Sequence, residues 1–347
     1  MFSRDIILIL TASFFYMSSP MLVTPLITGF AGSLGASAAL MGMTGGLMYL
    51  CSLFCRPFVG NLSDKISKYK LSLIGAGLMT LSCLGYIVAP NPVFIIAARI
   101  VNGIGFACCS VCMTTWMSNL LPRDRIGSGM GFYGIMNALG MAISPGLGVY
   151  IYQVFGYRPA FMIAMGFAVL TVLIIHFISD RGEPVTSTKA DQKREKLQII
   201  DKNVAPIALI IMLFAIPYFM TQAFLVKYVE TRGLNVNVTL FFPAYAIILI
   251  VLRFILKESF DRLPFQTFLF TGALCATASI ICLTFMNGNI ILLTAAAFMA
   301  GSYGIMCSVS QSTAILLAGE GKRGLANSTY YIGLDLGMSL GPVLGGF

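Results

Sequence analysis

Charged side chains are scarce in this sequence. Only 10% of its 347 residues are Asp, Glu, Lys or Arg, whereas 58% are hydrophobic. Ordinary soluble domains contain about 25% charged residues, and so few charges could not cover so much apolar surface in water. The composition therefore excludes a soluble globular protein and predicts an integral membrane protein.

The residue types that catalytic and metal sites use are also sparse. The sequence has one histidine, and its nine cysteines all fall within apolar runs. We find no nucleophile–base set and no cluster of metal ligands. We therefore predict no enzymatic activity, no metal and no cofactor, and we interpret the cysteines as small packing residues.

Eleven apolar runs occupy most of the chain. A bilayer core of about 30 Å needs about 20 apolar residues in a helix, and runs this long exclude the strands of a membrane barrel. We therefore predict an all-α membrane fold. The predicted helices cover residues 6–30, 38–59, 71–89, 92–120, 127–153, 159–178, 204–228, 236–256, 265–286, 289–317 and 324–347.

Basic residues are distributed unequally between the two ends of these runs. With a cytoplasmic N-terminus, 18 Lys and Arg residues, including Arg56 and Arg253, fall on the cytoplasmic side. Only Arg158, Lys227 and Arg232 fall on the other side. The net charge of +9 thus follows the positive-inside rule and does not indicate nucleic-acid binding. We predict a multi-pass protein of the inner (plasma) membrane with a cytoplasmic N-terminus.

The second half of the chain repeats the first at an offset of 197 residues. Arg56 is matched by Arg253 and Asp64 by Asp261. Matches of polar, glycine and proline positions at one offset without gaps are not expected by chance. We predict two halves of the same orientation, a plan used by transporters with a site between their halves.

The repeat also predicts the domain boundaries. We expect an N-terminal six-helix half at 1–180, a cytoplasmic linker at 181–203 and an incomplete C-terminal half at 204–347. The counterpart of the sixth helix would fall near 356–375. We therefore expect a twelfth helix beyond Phe347, which this chain lacks.

Four sequence motifs resemble those of one transporter family. Residues 60–68, G-N-L-S-D-K-I-S-K, are close to G-x-x-x-D-R/K-x-G-R/K, with Ser67 where glycine is usual. Residues 99–105, R-I-V-N-G-I-G, are similar to R-x-x-x-G-x-G. Residues 140–148 carry a degraded G-x-x-x-G-P-x-x-G-G, which is complete at 337–346. The sequence resembles the major facilitator superfamily, in particular its drug/proton antiporter-like branch.

This resemblance implies the major facilitator fold, with two parallel pseudo-symmetric six-helix halves. It also implies proton-driven export of a small organic compound by alternating access. The expected partners are a small-molecule substrate, protons and the lipid bilayer, without nucleic acid, and the expected state is a monomer. An uptake symporter or facilitator on the same fold stays an alternative. A non-transporting membrane sensor or scaffold is an alternative from another class.

We expect only two charged residues well inside a span. Arg99 is about two turns into its predicted helix, and Asp335 is about 16 Å along its helix from Gly324 at 1.5 Å per residue. Charges within a membrane are costly and are candidates for function. Because burial disfavours a charged carboxylate, we predict that Asp335 and Arg99 couple transport to protons. The alternative for Asp335 is a protonated acid bonded to a neighbouring helix.

A second group of charges is predicted to form a conformational latch on the cytoplasmic side. Asp64 should meet the positive N-terminal end of the last predicted helix, where a carboxylate gains about 0.3–1 kcal/mol. Ordinary loop charges without coupling are the alternative. The predicted latch comprises Asp64, Lys65, Lys68, Asp124, Asp261 and Arg262.

Small and polar residues complete the set of candidates. Glycine or serine at every fourth position allows close helix packing, and proline favours bending. These positions are Gly140, Ser144, Pro145, Gly148, Gly337, Gly341, Pro342 and Gly345. Polar groups predicted to line a substrate cavity, or else to bond packed helices, are Tyr16, Ser19, Asn102, Tyr218, Gln222, Tyr303 and Gln311.

Overall fold

The computed structural model describes residues 3–184, 198–318 and 322–345, and these residues form helices without a strand. The predicted all-α fold class is thus confirmed. We number the main helices α1 (Arg4–Ser33), α2 (Ala38–Lys65), α3 (Lys68–Val88), α4 (Pro92–Leu120), α5 (Ile126–Phe155), α6 (Tyr157–His176), α7 (Ala205–Thr231), α8 (Phe241–Ile255), α9 (Phe265–Thr284), α10 (Asn289–Leu317) and α11 (Arg323–Gly345).

Helix length and hydropathy agree with a membrane protein. Within the described residues, eight helices are long and apolar enough to cross a membrane. Helix α8 is a shorter apolar helix. Large apolar side chains such as Phe54 and Leu274 are exposed on the helix surfaces, as expected where lipid replaces water. The protein is therefore a multi-pass membrane protein, while the predicted number of eleven spans stays a prediction.

Polar caps mark where the first helices begin. The side chains of Ser3, Ser37 and Asn91 accept backbone N–H bonds from the first turns of α1, α2 and α4, at 3.3, 3.4 and 3.0 Å. Such caps satisfy N–H groups that have no partner within the helix. Helix α2 continues to Lys65, six residues beyond the predicted end at 59. The motif expected in a loop is therefore mostly helical.

The internal repeat reappears in the helix bounds. Adding the offset of 197 to α4 at Pro92–Leu120 gives 289–317, which are the bounds of α10. Packing repeats as well: α4 contacts α1, α2 and α3, and α10 contacts α7, α8 and α9. The two halves of the sequence therefore build the same arrangement of neighbouring helices.

Contacts within the chain group the structure into two units. Unit 1 comprises Met1–Leu120, Met136–Ile200 and Gly319–Ser328. Unit 2 comprises Leu121–Ile135, Asp201–Ala318 and Thr329–Phe347. Unit 1 thus includes the first turns of α11, and unit 2 includes the first turns of α5. The predicted half boundaries stay a prediction.

The stripe of small residues on α5 packs against α1 in unit 1. A Cβ placed on Gly148 would lie 2.5 Å from the carbonyl oxygen of Leu22, and one on Gly140 would lie 3.1 Å from Ser18 Oγ. Ser144, between them, is buried. Only small residues permit two helix backbones to approach this closely.

The stripe on α11 packs against α7 in unit 2 in the same way. A Cβ on Gly337 would lie 2.6 Å from Ala215 Cβ, and one on Gly341 would lie 2.8 Å from the carbonyl oxygen of Ile216. At the offset of 197, Gly337 corresponds to Gly140 and Ala215 to Ser18, so the close contact is itself repeated. Pro145 lies inside α5. The contacts of Pro342 and Gly345 lie outside the described part of the structure.

This packing predicts opposite effects for two nearby glycines. We expect Gly148→Ala to destabilise the protein by about 1–3 kcal/mol, because its methyl group would overlap the α1 backbone. Gly146→Ala is the matched control on the same helix, since a Cβ there meets nothing within 4 Å. It should be neutral or stabilising, because alanine favours a helix by about 1 kcal/mol over glycine. Thermal unfolding of the purified protein in detergent measures both; equal midpoints for the two variants would contradict the packing.

Candidate functional site

The carboxylate of Asp64 caps the N-terminus of α11 in unit 1. Its Oδ1 accepts the Gly324 N–H at 2.7 Å and its Oδ2 accepts the Leu325 N–H at 3.0 Å. These N–H groups have no acceptor within their own helix, and the helix dipole adds a favourable interaction with the negative charge. We call this pair of bonds the Asp64 cap. It is the contact that the sequence predicts for Asp64.

Two glycines make this contact possible. A Cβ on Gly324 would lie 2.6 Å from the carbonyl oxygen of Gly60, and one on Gly60 would lie 2.5 Å from Ser328 Cβ. The backbones of α2 and α11 therefore touch beside Asp64. A larger residue at either position would separate the carboxylate from the helix terminus.

Further bonds join the same end of α11 to α4. Arg323 Nη1 donates to the carbonyl oxygen of Ser118 at 2.5 Å and to Asn119 Oδ1 at 3.3 Å. Asn327 Nδ2 donates to Thr115 Oγ1 at 3.0 Å. The first turns of α11 are thus bound from two sides, by α2 and by α4.

Burial and hydrogen bonding have opposite effects on the pKa of Asp64. The residue lies beyond the apolar run at 38–59. Burial raises the pKa of Asp64 to about 6, while the Gly324 and Leu325 N–H groups and the cations of Lys68 and Lys322 act to lower the pKa. At neutral pH the carboxylate is therefore mostly charged and able to cap the helix.

The other predicted latch residues lie in different surroundings. Lys68 is buried, and its backbone N–H donates to the carbonyl oxygen of Gly182 at 2.9 Å. Lys65 is exposed. Asp124 lies 3.8 Å from Arg125 Nε, with both side chains largely exposed. Their predicted part in a latch stays a prediction.

The latch residues of the second half are less defined. Arg262 lies 3.7 Å from Glu258, one turn earlier in sequence, and both side chains are exposed. The side chain of Asp261, the repeat partner of Asp64, lies outside the described residues. The contact predicted for Asp261 therefore stays a prediction.

Arg99 is buried in α4 and is bound by the backbone of α2. Its Nε donates to the Thr44 carbonyl oxygen at 2.8 Å, and its Nη2 donates to the Gly45 carbonyl oxygen at 2.8 Å. Its Nη1 lies 3.6 Å from Met48 Sδ. This arrangement ties α4 to α2 within unit 1, and the predicted part of Arg99 in proton coupling stays a prediction.

Asp335 is buried in α11, with 1% of its surface exposed. It belongs to unit 2, where Ser339 Oγ donates to the backbone carbonyl oxygen of Asp335 at 2.9 Å. Tyr331, one turn earlier and also buried, accepts a hydrogen bond from Gln311 Nε2 on α10 at 2.9 Å. An acid this deep in an apolar helix is costly when charged.

Of the polar residues predicted to line a cavity, three belong to unit 1. Tyr16 is fully buried. Ser19 Oγ lies 3.7 Å from Cys83 Sγ, and Asn102 Nδ2 donates to Ser82 Oγ at 2.6 Å. Ser19 and Asn102 thus bond to the packed helix α3, which is the alternative that the sequence left open.

The other four belong to unit 2, where tyrosines gather. The rings of Tyr218 on α7 and Tyr303 on α10 stack with centroids 4.4 Å apart, and Tyr245 on α8 lies 5.1 Å from Tyr218. We call Tyr218, Tyr245 and Tyr303 the tyrosine cluster. Gln311 bonds Tyr331 as described, and Gln222 is exposed. Tyr245 was missed because a tyrosine within an apolar run looks like any core aromatic.

Two arginines that the sequence places at the cytoplasmic surface are buried in the structure. Arg56 and Arg253 were counted at the cytoplasmic surface, yet 1% and 4% of their surfaces are exposed. Arg56 Nη1 donates to Ser110 Oγ at 2.8 Å. Burial within the protein does not give depth in a membrane, so the prediction that only Arg99 and Asp335 lie well inside a span stays a prediction. Both arginines follow long apolar runs, where an arginine near a helix end is hard to distinguish from a loop residue.

The cysteines are free thiols. Cys109 and Cys112 have the C-x-x-C spacing, but both are buried on α4, and Cys109 Sγ lies 3.6 Å from the Ser72 carbonyl oxygen. Among the described residues, no group of three or more potential ligands surrounds a metal position.

The described residues form a helical membrane protein in which buried charged side chains bond to neighbouring helices. The chain belongs to the Major Facilitator Superfamily, whose family pattern matches residues 8–342. The predicted resemblance is thereby confirmed.

Several relatives are named for multidrug resistance. The multi-drug resistance efflux pump PmrA homolog of Lactococcus lactis is 24% identical over 264 residues, covering 74% of this chain and 65% of that protein. PmrA of Streptococcus pneumoniae is 30% identical over 180 residues, covering 50% of this chain and 45% of that protein. Multidrug resistance protein 2 of Bacillus subtilis is 23% identical over 357 residues, covering 94% of this chain and 84% of that protein. The chain thus spans less than two thirds of the length of the first two.

Solved structures share the fold. The human organic anion transporter MFSD10 (TETRAN) matches with a TM-score of 0.72 at 14% identity, covering 99% of this chain and 93% of that chain. The transporter FucP, in its outward conformation, matches with a TM-score of 0.73 at 14% identity, covering 98% of this chain and 91% of that chain. At this identity the likeness concerns the fold alone.

The Asp64 cap predicts a local effect of neutralising one carboxylate. Asp64→Asn keeps the shape but removes the charge, so amide exchange in the first turn of α11 should rise about two- to fivefold at pH 7.5, corresponding to about 0.4–1 kcal/mol. Hydrogen–deuterium exchange measured by mass spectrometry reports this change. The difference from wild type should shrink as the pH falls below about 6, because protonated Asp64 also lacks the charge.

Glu258→Gln serves as the control, since Glu258 is an exposed acid that pairs with Arg262. It should leave exchange in this turn unchanged. Equal exchange in Asp64→Asn and wild type at pH 7.5 would show that the charge does not stabilise the helix terminus.

Proposed function

We propose that this transporter exports a small organic compound in exchange for protons, by alternating access. The observation that carries the proposal is the buried acid Asp335 in α11. A carboxylic acid held away from water exchanges its proton only when its surroundings change. That property suits a group that takes up a proton in one conformation and releases it in another.

Three further observations support export. The complete G-x-x-x-G-P-x-x-G-G sequence at 337–346 and its degraded form at 140–148 are of the antiporter type. The efflux pumps from Lactococcus and Streptococcus are named for multidrug resistance, and so is the Bacillus relative. The stacked rings of the tyrosine cluster suit contact with a lipophilic organic compound.

We propose that the Asp64 cap acts as the latch of this cycle. The cap is a discrete contact that is either made or broken, and a ligand or proton that favours one conformation shifts that equilibrium. Lys65, Lys68, Asp124, Asp261 and Arg262 would adjust it through their charges. The protein would act as a monomer in the inner membrane, with its N-terminus and this latch on the cytoplasmic side, as the distribution of basic residues favours.

Replacing the acid tests the coupling. We expect Asp335→Asn to abolish ethidium accumulation driven by a proton gradient in everted membrane vesicles, because the amide forms hydrogen bonds but does not carry the proton. Exchange of labelled for unlabelled ethidium without a gradient should survive. Glu258→Gln, an exposed acid on the cytoplasmic side, should behave as wild type.

Two results would contradict the proposal. Gradient-driven accumulation by Asp335→Asn at the wild-type rate and with the same pH dependence would place coupling elsewhere. Ethidium movement by the wild-type protein that does not depend on the proton gradient would indicate a facilitator.

A further inference from the structure

Helix α8 carries a buried guanidinium that bridges two other segments of unit 2. Arg253 Nη1 donates to the Gly131 carbonyl oxygen near the start of α5 at 3.0 Å. Its Nη2 donates to the Gly304 carbonyl oxygen on α10 at 2.9 Å. Both acceptors are backbone atoms, and Nε has no hydrogen-bond partner within the described residues. A buried cation in this setting depends strongly on the few acceptors that it has.

The acceptor on α10 lies in an irregular turn. Residues Ala300–Gly304 form a π-helical turn inside α10. Such turns are rare, shift the regular hydrogen bonds of the helix and occur frequently at functional sites. A side chain that accepts or donates within the shifted pattern helps to hold it. Arg253 meets this condition, because it binds the carbonyl oxygen of the last residue of the turn.

The approach of α5 to Arg253 requires a glycine. A Cβ on Gly134 would overlap Arg253 Nη1 and Ser308 Oγ. Gly134 lies one turn after Gly131, on the same side of α5, so the guanidinium rests directly on the helix backbone. Any side chain at position 134 would displace it.

The same π-helical turn carries a ring of the tyrosine cluster. Tyr303 precedes Gly304, and its ring stacks on Tyr218 of α7 with centroids 4.4 Å apart. Phe219 lies 5.7 Å from Tyr303 in an edge-on arrangement. A continuous line of contacts therefore runs from the start of α5 through Arg253 and the turn of α10 to Tyr303 and Tyr218.

We propose that Arg253 is a positioning residue of the transport cycle, which fixes the π-helical turn of α10, and with it Tyr303, to the start of α5. The inference rests on the proposed function for its effect on transport. When α5 moves away from α8, the bond to Gly131 breaks, and the turn that carries Tyr303 loses one of its supports. The tyrosine cluster thereby takes different positions in different conformations.

Hydrogen–deuterium exchange tests the structural part without any substrate. In Arg253→Gln, amide exchange should rise about tenfold in two separate segments, around residues 300–305 and 128–135, because both carbonyl oxygens lose a hydrogen bond from a charged donor. Arg253→Lys should behave similarly, because an ammonium on a shorter chain does not reach both carbonyls with the fixed fork of a guanidinium. Gly134→Ala keeps the arginine but displaces it, and should produce the same two changes.

The matched control is Gly146→Ala, on the same helix at a position where a Cβ meets nothing within 4 Å. It should leave both segments at wild-type exchange. If Arg253→Gln does not accumulate in the membrane, Gly134→Ala decides the question alone. Two results would overturn the proposed link between α5 and α10 through Arg253. One is exchange that rises in only one of the two segments, and the other is wild-type exchange in Arg253→Lys.

Transport kinetics test the functional part, with ethidium as the probe. Arg253→Gln and Gly134→Ala should lower the maximal rate about tenfold, while ethidium binding to the purified protein changes less than about twofold. A purely structural residue would instead reduce the amount of folded protein without this split. Normal rates in variants with altered exchange would overturn the positioning role. Wild-type protein that does not move ethidium would count against the proposed function, while leaving the exchange result as a separate test.

Discussion

Charged groups inside a bilayer must find their partners in the protein, because no water is present to solvate them. In this structure two buried arginines bond to backbone atoms of other helices, and so does the carboxylate of Asp64, which lies beyond the apolar run at 38–59. Asp64 accepts two N–H groups at the start of α11, Arg99 donates to two carbonyls of α2, and Arg253 donates to carbonyls of α5 and α10. Each charge therefore joins one helix to another at a defined position.

Glycine makes these contacts possible. Gly60 and Gly324 bring α2 and α11 together beside Asp64, and Gly134 leaves room for Arg253. The glycine stripes also bring α5 against α1 and α11 against α7. Residues without side chains thus decide where the charged groups can reach a backbone. The internal repeat places such a glycine stripe on both α5 and α11.

Much of this arrangement can be predicted from the sequence, because hydrophobic length sets helix bounds and a repeat at one offset sets their correspondence. Asp64 was predicted to meet the start of α11 because a carboxylate favours a helix N-terminus. Burial of Arg56 and Arg253 was missed, since an arginine after an apolar run looks like a topology signal. The π-helical turn before Ile305 also has no sequence signature.

Side-chain contacts between residues far apart in the sequence were not predicted either. Trp116 Nε1 on α4 donates to Asp180 Oδ1 at 2.7 Å, and the Asp180 N–H donates to Asp5 at 2.9 Å. These bonds fasten the residue before the linker to α1 and α4, whereas the composition of this segment indicates only a polar connection. Such contacts depend on tertiary packing, which hydrophobic periodicity does not specify.

In the proposed function, movement of an organic compound and of protons through this protein is one coupled process. Purified protein in sealed liposomes tests it directly, with a pH-sensitive dye inside and an ethidium gradient as the only driving force. We expect ethidium that enters the lumen to drive protons out of it, so that the interior becomes alkaline. A protonophore should abolish this pH change without stopping ethidium transport. Ethidium transport without any change in internal pH would contradict it.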